Sequence, residues 1–174
     1  RKDQRVVLEA LGYVHTPVRL VLAGVDDPGR LSELIRRAPA RHAVVCLPFS
    51  PDIRPLYDLL DLVLLPSRME GFSQALLEGM ALGKPVLASA AAGNLDLIHD
   101  GVDGCLVPPL DPAAWAAAID RLLGDPSLCE RLGTAARGTA RECYSLDRTV
   151  ERTAAVYRDV LRCSRAPAPP DFAG

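Results

Sequence analysis

The chain has 174 residues, and 20 Lys+Arg against 22 Asp+Glu leave a formal net charge of −2, which excludes a protein held to nucleic acid by phosphate neutralisation. With 49 % apolar and 24 % charged residues it is not disordered throughout, and it matches the scale of one core of about 100–200 residues. Its longest apolar stretch, residues 59–66, is interrupted by Asp61 and falls far short of the ~20 residues of a membrane-spanning helix.

The chain opens Arg1-Lys2-Asp3-Gln4-Arg5, without initiator Met or apolar leader, as expected of a piece of a longer protein. Residues 6–11 carry an apolar face and predict a helix. Residues 18–23 (Val-Arg-Leu-Val-Leu-Ala) predict a strand that breaks at Gly24. Residues 28–37 predict a helix with Leu31, Leu34 and Ile35 inward, and residues 43–47 a strand stopped by Pro48. Ser50-Pro51 reads as a cap and first-turn proline for a helix carrying Leu56, Leu59 and Leu60. Residues 62–65 and 85–88 predict further strands. Between them Ser73 caps a helix that runs to Leu82 and ends at Gly83.

Beyond Pro109 the pattern is helical only. Asp111-Pro112 opens a helix with Trp115, Ile119 and Leu122 inward, and Gly124 ends it. Asp125-Pro126 opens another through Leu132 and Ala136. A last helix begins near Ser145, with Leu146, Val150, Tyr157, Val160 and Leu161 on one side. Continuous apolar runs separated by helices imply βαβ units and a parallel sheet covered on both faces. The fold class is α/β: a Rossmann-like αβα sandwich with extra C-terminal helices. Residues 1–163 form one domain, and 164–174 are a Pro-rich tail expected to be disordered. The five cysteines are odd in number and without Cys-x-x-Cys spacing, so reduced thiols in a cytoplasmic compartment are expected, not a disulfide framework or zinc site. His15, His42 and His99 have no partner motif and read as structural or solvated.

In an open parallel sheet, ligands bind beyond the C-terminal ends of the strands. Segments 24–27, 48–50, 67–73 and 89–94 lie there. The third is the richest: it leaves a strand, turns through Gly71 and enters a helix. Its first free N–H groups and its dipole suit a diphosphate. Glu70 lies just outside that helix and Glu78, eight positions on, inside it. Two glutamates at this spacing are commonplace, and acidic residues near a helix start are usually solvated dipole complements. An ordered string of residues carries more weight than the pair.

That string is Pro66-Ser67-Arg68-Met69-Glu70-Gly71-Phe72, then Glu78, then Met80-Ala81-Leu82-Gly83-Lys84-Pro85-Val86. It resembles the signature of the GT-B glycosyltransferases of family 4. Ala92-Gly93-Asn94-Leu95-Asp96 continues the likeness where the family usually has Gly-Gly-Asn-x-Glu, and residues 100–109 match the next block. The resemblance covers the chain from Lys2 to about Leu161, and implies one half of a GT-B fold, the nucleotide-sugar donor lobe.

It further implies a retaining transferase as a full-length protein, whose missing N-terminal lobe binds the acceptor and is the only route to a membrane. The fragment alone is expected to transfer nothing. By the same resemblance Lys2 holds the donor diphosphate, Glu78 the ribose hydroxyls, and Glu70, the catalytic candidate, lies beside the sugar ring. Backbone N–H groups of Gly71, Phe72, Ser73 and Gln74 hold sugar and phosphate oxygens. Gly24, Pro48, Asn94 and Asp96 are secondary candidates, though a strand-to-helix turn suits Gly24, and an Asx turn suits Asn94 and Asp96 equally. No metal, no cofactor and no nucleic acid are expected; the nucleotide sugar is a substrate. Asp3, Ser73, Gln74 and Asp96 depart from the family pattern. The alternatives are a non-catalytic nucleotide-binding or interaction module of the same fold and a nucleotide-sugar epimerase.

Overall fold

A computed structural model describes residues 2–163, so the Pro-rich tail lies outside the described residues. Helix α1 (Gln4–Ala10) leads to strand β1 (Arg19–Ala23), and a short 3-10 turn at Gly29–Leu31 to α2 (Ser32–Arg37). Then come β2 (Ala43–Leu47), α3 (Arg54–Leu59), β3 (Val63–Leu65), α4 (Gln74–Ala81) and β4 (Val86–Ser89). The chain continues through α5 (Ala92–Leu97), β5 (Cys105–Val107), α6 (Pro112–Leu123), α7 (Pro126–Tyr144) and α8 (Leu146–Cys163). All strand pairings are parallel.

Side chains sort onto the two faces by strand period, which builds the three layers. Leu87 of β4 joins Val6, Val7, Trp115 and Ile119 in a core under α1 and α6. Its neighbours Val86 and Ala88 join Leu76, Met80 and Ala136 in the opposite core, under α4 and α7. Trp115 is fully buried. The caps are as read: Ser73 Oγ accepts from Leu76 N, Asp111 from Ala114 N and Asp125 from Leu128 N. Gly83, at φ +72°, turns the chain out of α4.

Four expectations are corrected. The strands form two sheets, β1-β2 and β3-β4-β5, not one. The sequence predicts no element at β5 or α5, which have three and six residues, too short for periodicity to register. α3 starts at Arg54 with Pro55 in its first turn, and Ser50 Oγ donates to the Asp52 carbonyl instead of capping. On α3 Tyr57 is the buried residue, while Leu59 is 81 % exposed. Finally, the apolar side of α8 meets no core; Leu146, Val150, Tyr157 and Val160 are all exposed.

Cys46, Cys105, Cys129 and Cys143 are free thiols. Among the described residues no helix is long and apolar enough to cross a membrane.

Candidate functional site

Because β3, β4 and β5 are parallel, their C-terminal ends share one edge, and the chain segments leaving them meet there. Three side-chain bonds, two of them buried, hold these segments together. Asn94 Nδ2 donates to the Ser89 carbonyl at 3.0 Å. Ser89 Oγ donates to the Ser67 carbonyl, and Ser67 Oγ donates to Glu70 Oε1 at 2.7 Å. The Gly93 amide closes the circuit on the Glu70 carbonyl at 3.1 Å. Glu70 is therefore fixed at both its backbone and its carboxylate by groups that are themselves buried, while its side chain stays partly open to water.

Gly93 is required where α5 meets this turn. A Cβ there would overlap the Gly71 carbonyl and sit 2.9 Å from the Glu70 carbonyl oxygen. The short α5 thus presses its first turn directly onto the backbone of 70–71. Gly71 itself has open space around it and is exposed, as are Phe72 and Gln74. Among the hydrogen bonds of the described residues, none takes the N–H of Gly71, Phe72, Ser73, Gln74 or Ala75. Five donors at a helix start are left for solvent or a ligand. Phe72 packs on Tyr144 with ring centroids 5.4 Å apart, and Tyr144 O–H donates to the Asp96 carbonyl at 3.0 Å. The end of α7 is tied in this way to both the turn and α5.

Glu78 lies on α4, exposed, with Oε2 3.2 Å from the Tyr57 hydroxyl. The same hydroxyl donates to the Ala75 carbonyl at 2.8 Å. Burial, and then the charge of Glu78, push the Tyr57 phenol well above its usual value, so it stays protonated and a donor. At the other side Lys2 forms an isolated bridge with Ser67, and Asp3 pairs with Arg68 at 3.3 Å. The start of the chain is thereby pinned to the β3–α4 turn, with the Lys2 side chain exposed.

The structure brings Lys2, Glu70, Gly71, Phe72, Ser73, Gln74, Glu78 and Asn94 around one turn. Asn94 is fully buried with its Oδ1 unpaired, and its Nδ2 donates back to the end of the preceding strand β4 at Ser89 instead of the Oδ1 closing an Asx turn. Asp96 is exposed on α5. Gly24 and Pro48 follow β1 and β2, hence lie on the corresponding edge of the other sheet. Ser67, Ser89, Tyr57 and the Asp3–Arg68 pair were not given roles by the sequence. Tyr57, Ser89 and Asp3 find partners in other elements, which no local spacing signals, whereas Ser67 Oγ donates to Glu70 three residues on. Among the described residues no group of three or more His, Cys, Asp or Glu is placed to hold a metal.

Comparison with known proteins places this geometry among relatives. The family described as glycosyl transferases group 1 matches residues 1–139. A D-inositol 3-phosphate glycosyltransferase of Salinispora arenicola is 38 % identical over 141 residues, covering 80 % of this chain and 31 % of the relative. An alpha-D-kanosaminyltransferase of Streptomyces kanamyceticus is 36 % identical, covering 82 % of this chain and 38 % of the relative. The crystal structure of Anabaena Alr3699/HepE in complex with UDP-glucose superimposes with a TM-score of 0.83 at 26 % identity, over 91 % of this chain and 45 % of that one. This chain spans less than half the length of each.

Proposed function

The chain belongs to the glycosyl transferases group 1 family and has the fold of one half of a GT-B enzyme, and on that footing we propose that it is the donor-binding half of a retaining glycosyltransferase. The observation that carries the reading is the turn 70–74, exposed at Gly71, Phe72 and Gln74, with its free amides at the start of α4 and an anchored carboxylate on either side. A nucleoside diphosphate needs these three things together. Its phosphates take N–H donors at a positive helix end. Its ribose diol donates to an ionised carboxylate, which accepts two hydroxyls. Its departure from the sugar is eased by groups already aimed at the developing charge.

In this reading Glu78 accepts from the ribose, Glu70 borders the sugar ring, and Lys2 with the α4 amides stabilises the leaving diphosphate. The bond from the anomeric carbon to the phosphate oxygen breaks, and an acceptor oxygen attacks from the same face. The acceptor is held by the remainder of the full-length protein. The UDP-glucose held by the Anabaena relative supports a nucleotide-sugar donor.

Calorimetric titration with UDP, GDP and ADP tests the assignment. One of them binds, and Glu78→Ala weakens it about tenfold or more, the effect of removing a charged hydrogen-bond partner. No heat from any of the three at millimolar concentration overturns it. Residues 1–174 alone transfer no sugar, since the acceptor side and half the water-excluding wall are supplied elsewhere.

A further inference from the structure

Ala136, Ala140 and Tyr144 recur every four residues and so share one face of α7. The two alanines are buried in the core with Leu76 and Met80 of α4, and Tyr144 packs at the edge of that core. The same face thereby delivers Tyr144, the last residue of α7, to the start of α4. Residues 71 and 72 of the turn there have no backbone tie of their own. Among the hydrogen bonds of the described residues none is donated by the N–H of Gly71 or Phe72, and none is accepted by either carbonyl. The nearest backbone bonds flank them, at the carbonyls of Glu70 and Ser73. Packing sets their direction instead. On one side Gly93 of α5 presses on the Gly71 backbone. On the other the Phe72 ring, 43 % exposed, rests on Tyr144 with centroids 5.4 Å apart and planes tilted by 54°, within the range where aromatic pairs attract. The Tyr144 hydroxyl donates to the Asp96 carbonyl of α5 at 3.0 Å, which joins the two sides. Burial raises this phenol above its usual value, so the hydroxyl keeps its proton at neutral pH.

We propose that Tyr144 is a positioning residue for the donor site: by clamping Phe72 and tying that clamp to α5, it aims the unpaired amides of 71–74 at the ligand's phosphates. This role rests on the donor-binding reading, and it falls on a residue beyond the 1–139 that match the family. Tyr144 acts through Phe72 and not through contact with the nucleotide, so removing either ring has the same consequence. Amides whose direction is fixed beforehand lose no further freedom when a diphosphate arrives, which is how a remote ring strengthens binding. Without the clamp, residues 71 and 72 keep only the Gly93 contact, and the donors they carry must be ordered by the ligand itself.

Titration of residues 1–174 and its variants with UDP, GDP and ADP tests this. Tyr144→Leu weakens the nucleotide that binds by about fivefold or more, within what an aromatic pair supplies. Tyr144→Phe keeps the ring, loses only the bond to Asp96, and stays within about threefold of the parent chain. The double variant Phe72→Leu/Tyr144→Leu binds no more weakly than Phe72→Leu alone, because both changes remove one contact. Amide relaxation measured by NMR on the ligand-free chains gives the second readout. In Tyr144→Leu the order parameters of residues 71–74 fall below about 0.6 while those in the middle of α4 stay near about 0.85, which separates a loosened turn from a partly unfolded domain. Phe72→Leu, at an exposed position, shows the same loosened turn even if Tyr144→Leu folds poorly. Full affinity in Tyr144→Leu, additive losses in the double variant, or unchanged order parameters at 71–74 each overturn the role of Tyr144 and leave the donor reading standing. An unsubstituted chain that binds none of the three nucleotides overturns the donor reading, and this role with it.

Discussion

Side chains at the proposed donor turn are held by neighbours that are distant in sequence. Tyr57 and Glu78 are 21 positions apart, and the hydroxyl between them serves a helix carbonyl and a carboxylate with one proton. Tyr57→Phe leaves the ring in its core but frees Glu78 to rotate. The expected result is a threefold to tenfold loss of nucleotide affinity, about one hydrogen bond's worth, and a smaller preference for ribo- over 2′-deoxyribonucleotides. Parallel titrations of the two nucleotides with both proteins check it. Glu70 and Glu78 were legible in the sequence because they sit in an ordered local string. Tyr57 and Ser89 were not, because a hydrogen bond between elements leaves no periodic trace in either.

Asp120 shows the same limit away from the turn. Burial disfavours its charge, but the amides of Thr16 and His15 and the His15 ring outweigh that and hold the carboxyl far below the usual range. The bonds are 2.9 Å from each amide and 3.0 Å from Nδ1. A carboxyl depressed in the folded state contributes its full stability above its unfolded pKa of about 3.9 and loses it as pH falls further, towards the folded value. Asp120→Ala is therefore expected to cost about 2 kcal/mol at pH 7. That cost shrinks progressively below about pH 4. Denaturant unfolding of both proteins at pH 7 and pH 3 measures the difference, and a constant gap refutes the account.

At the scale of elements, two close approaches separate site from scaffold. α5 reaches the 70–71 backbone through Gly93, and α7 reaches the Gly83 carbonyl through Gly133, where an added Cβ would overlap as well. Gly93→Ala moves the turn that carries the free amides. Gly133→Ala moves α7 off the end of α4, on the far side of the helix from those amides. Both variants lower the melting temperature, but only Gly93→Ala lowers nucleotide affinity beyond what the unfolded fraction explains. Calorimetry well below each melting point separates the two. The helix caps that position α4, α6 and α7 were readable, since Ser73, Asp111 and Asp125 each satisfy an N–H within their own first turn. β5 and α5 were not, because their existence depends on a neighbouring strand and turn and not on their own pattern. The start of α3 differs for a related reason: Ser50-Pro51 carries the fuller local signal, but Pro55 also suits a first turn, and the bond of Tyr57 to the Ala75 carbonyl on α4 goes with the later start.

For the whole molecule, the α/β class follows from the alternation of apolar runs and helices, whereas the break between β1 and β3 is invisible to it. Periodicity reports which residues are apolar, not which strand edges meet. α8 marks the same boundary at the other end of the fold. Its apolar residues repeat at helical spacing and share one side of the helix. Yet from Leu146 to Arg162 all but Ala154 are exposed. Burial of an apolar face is what stabilises most helices in proteins, since propensity and ion pairs such as Arg148–Glu151 contribute only about 0.2–0.5 kcal/mol each. A helix that buries so little area contributes little to the stability of the domain beneath it. A chain ending at Ser145 should accordingly melt within about 2 °C of the longer one, since a shift of that size corresponds to about 0.5–1 kcal/mol in a domain of this length. Far-UV circular dichroism followed through the melt gives both the helix content lost and the midpoint. A drop of 10 °C would mean that α8 folds onto the domain and that its apolar side belongs to this core after all.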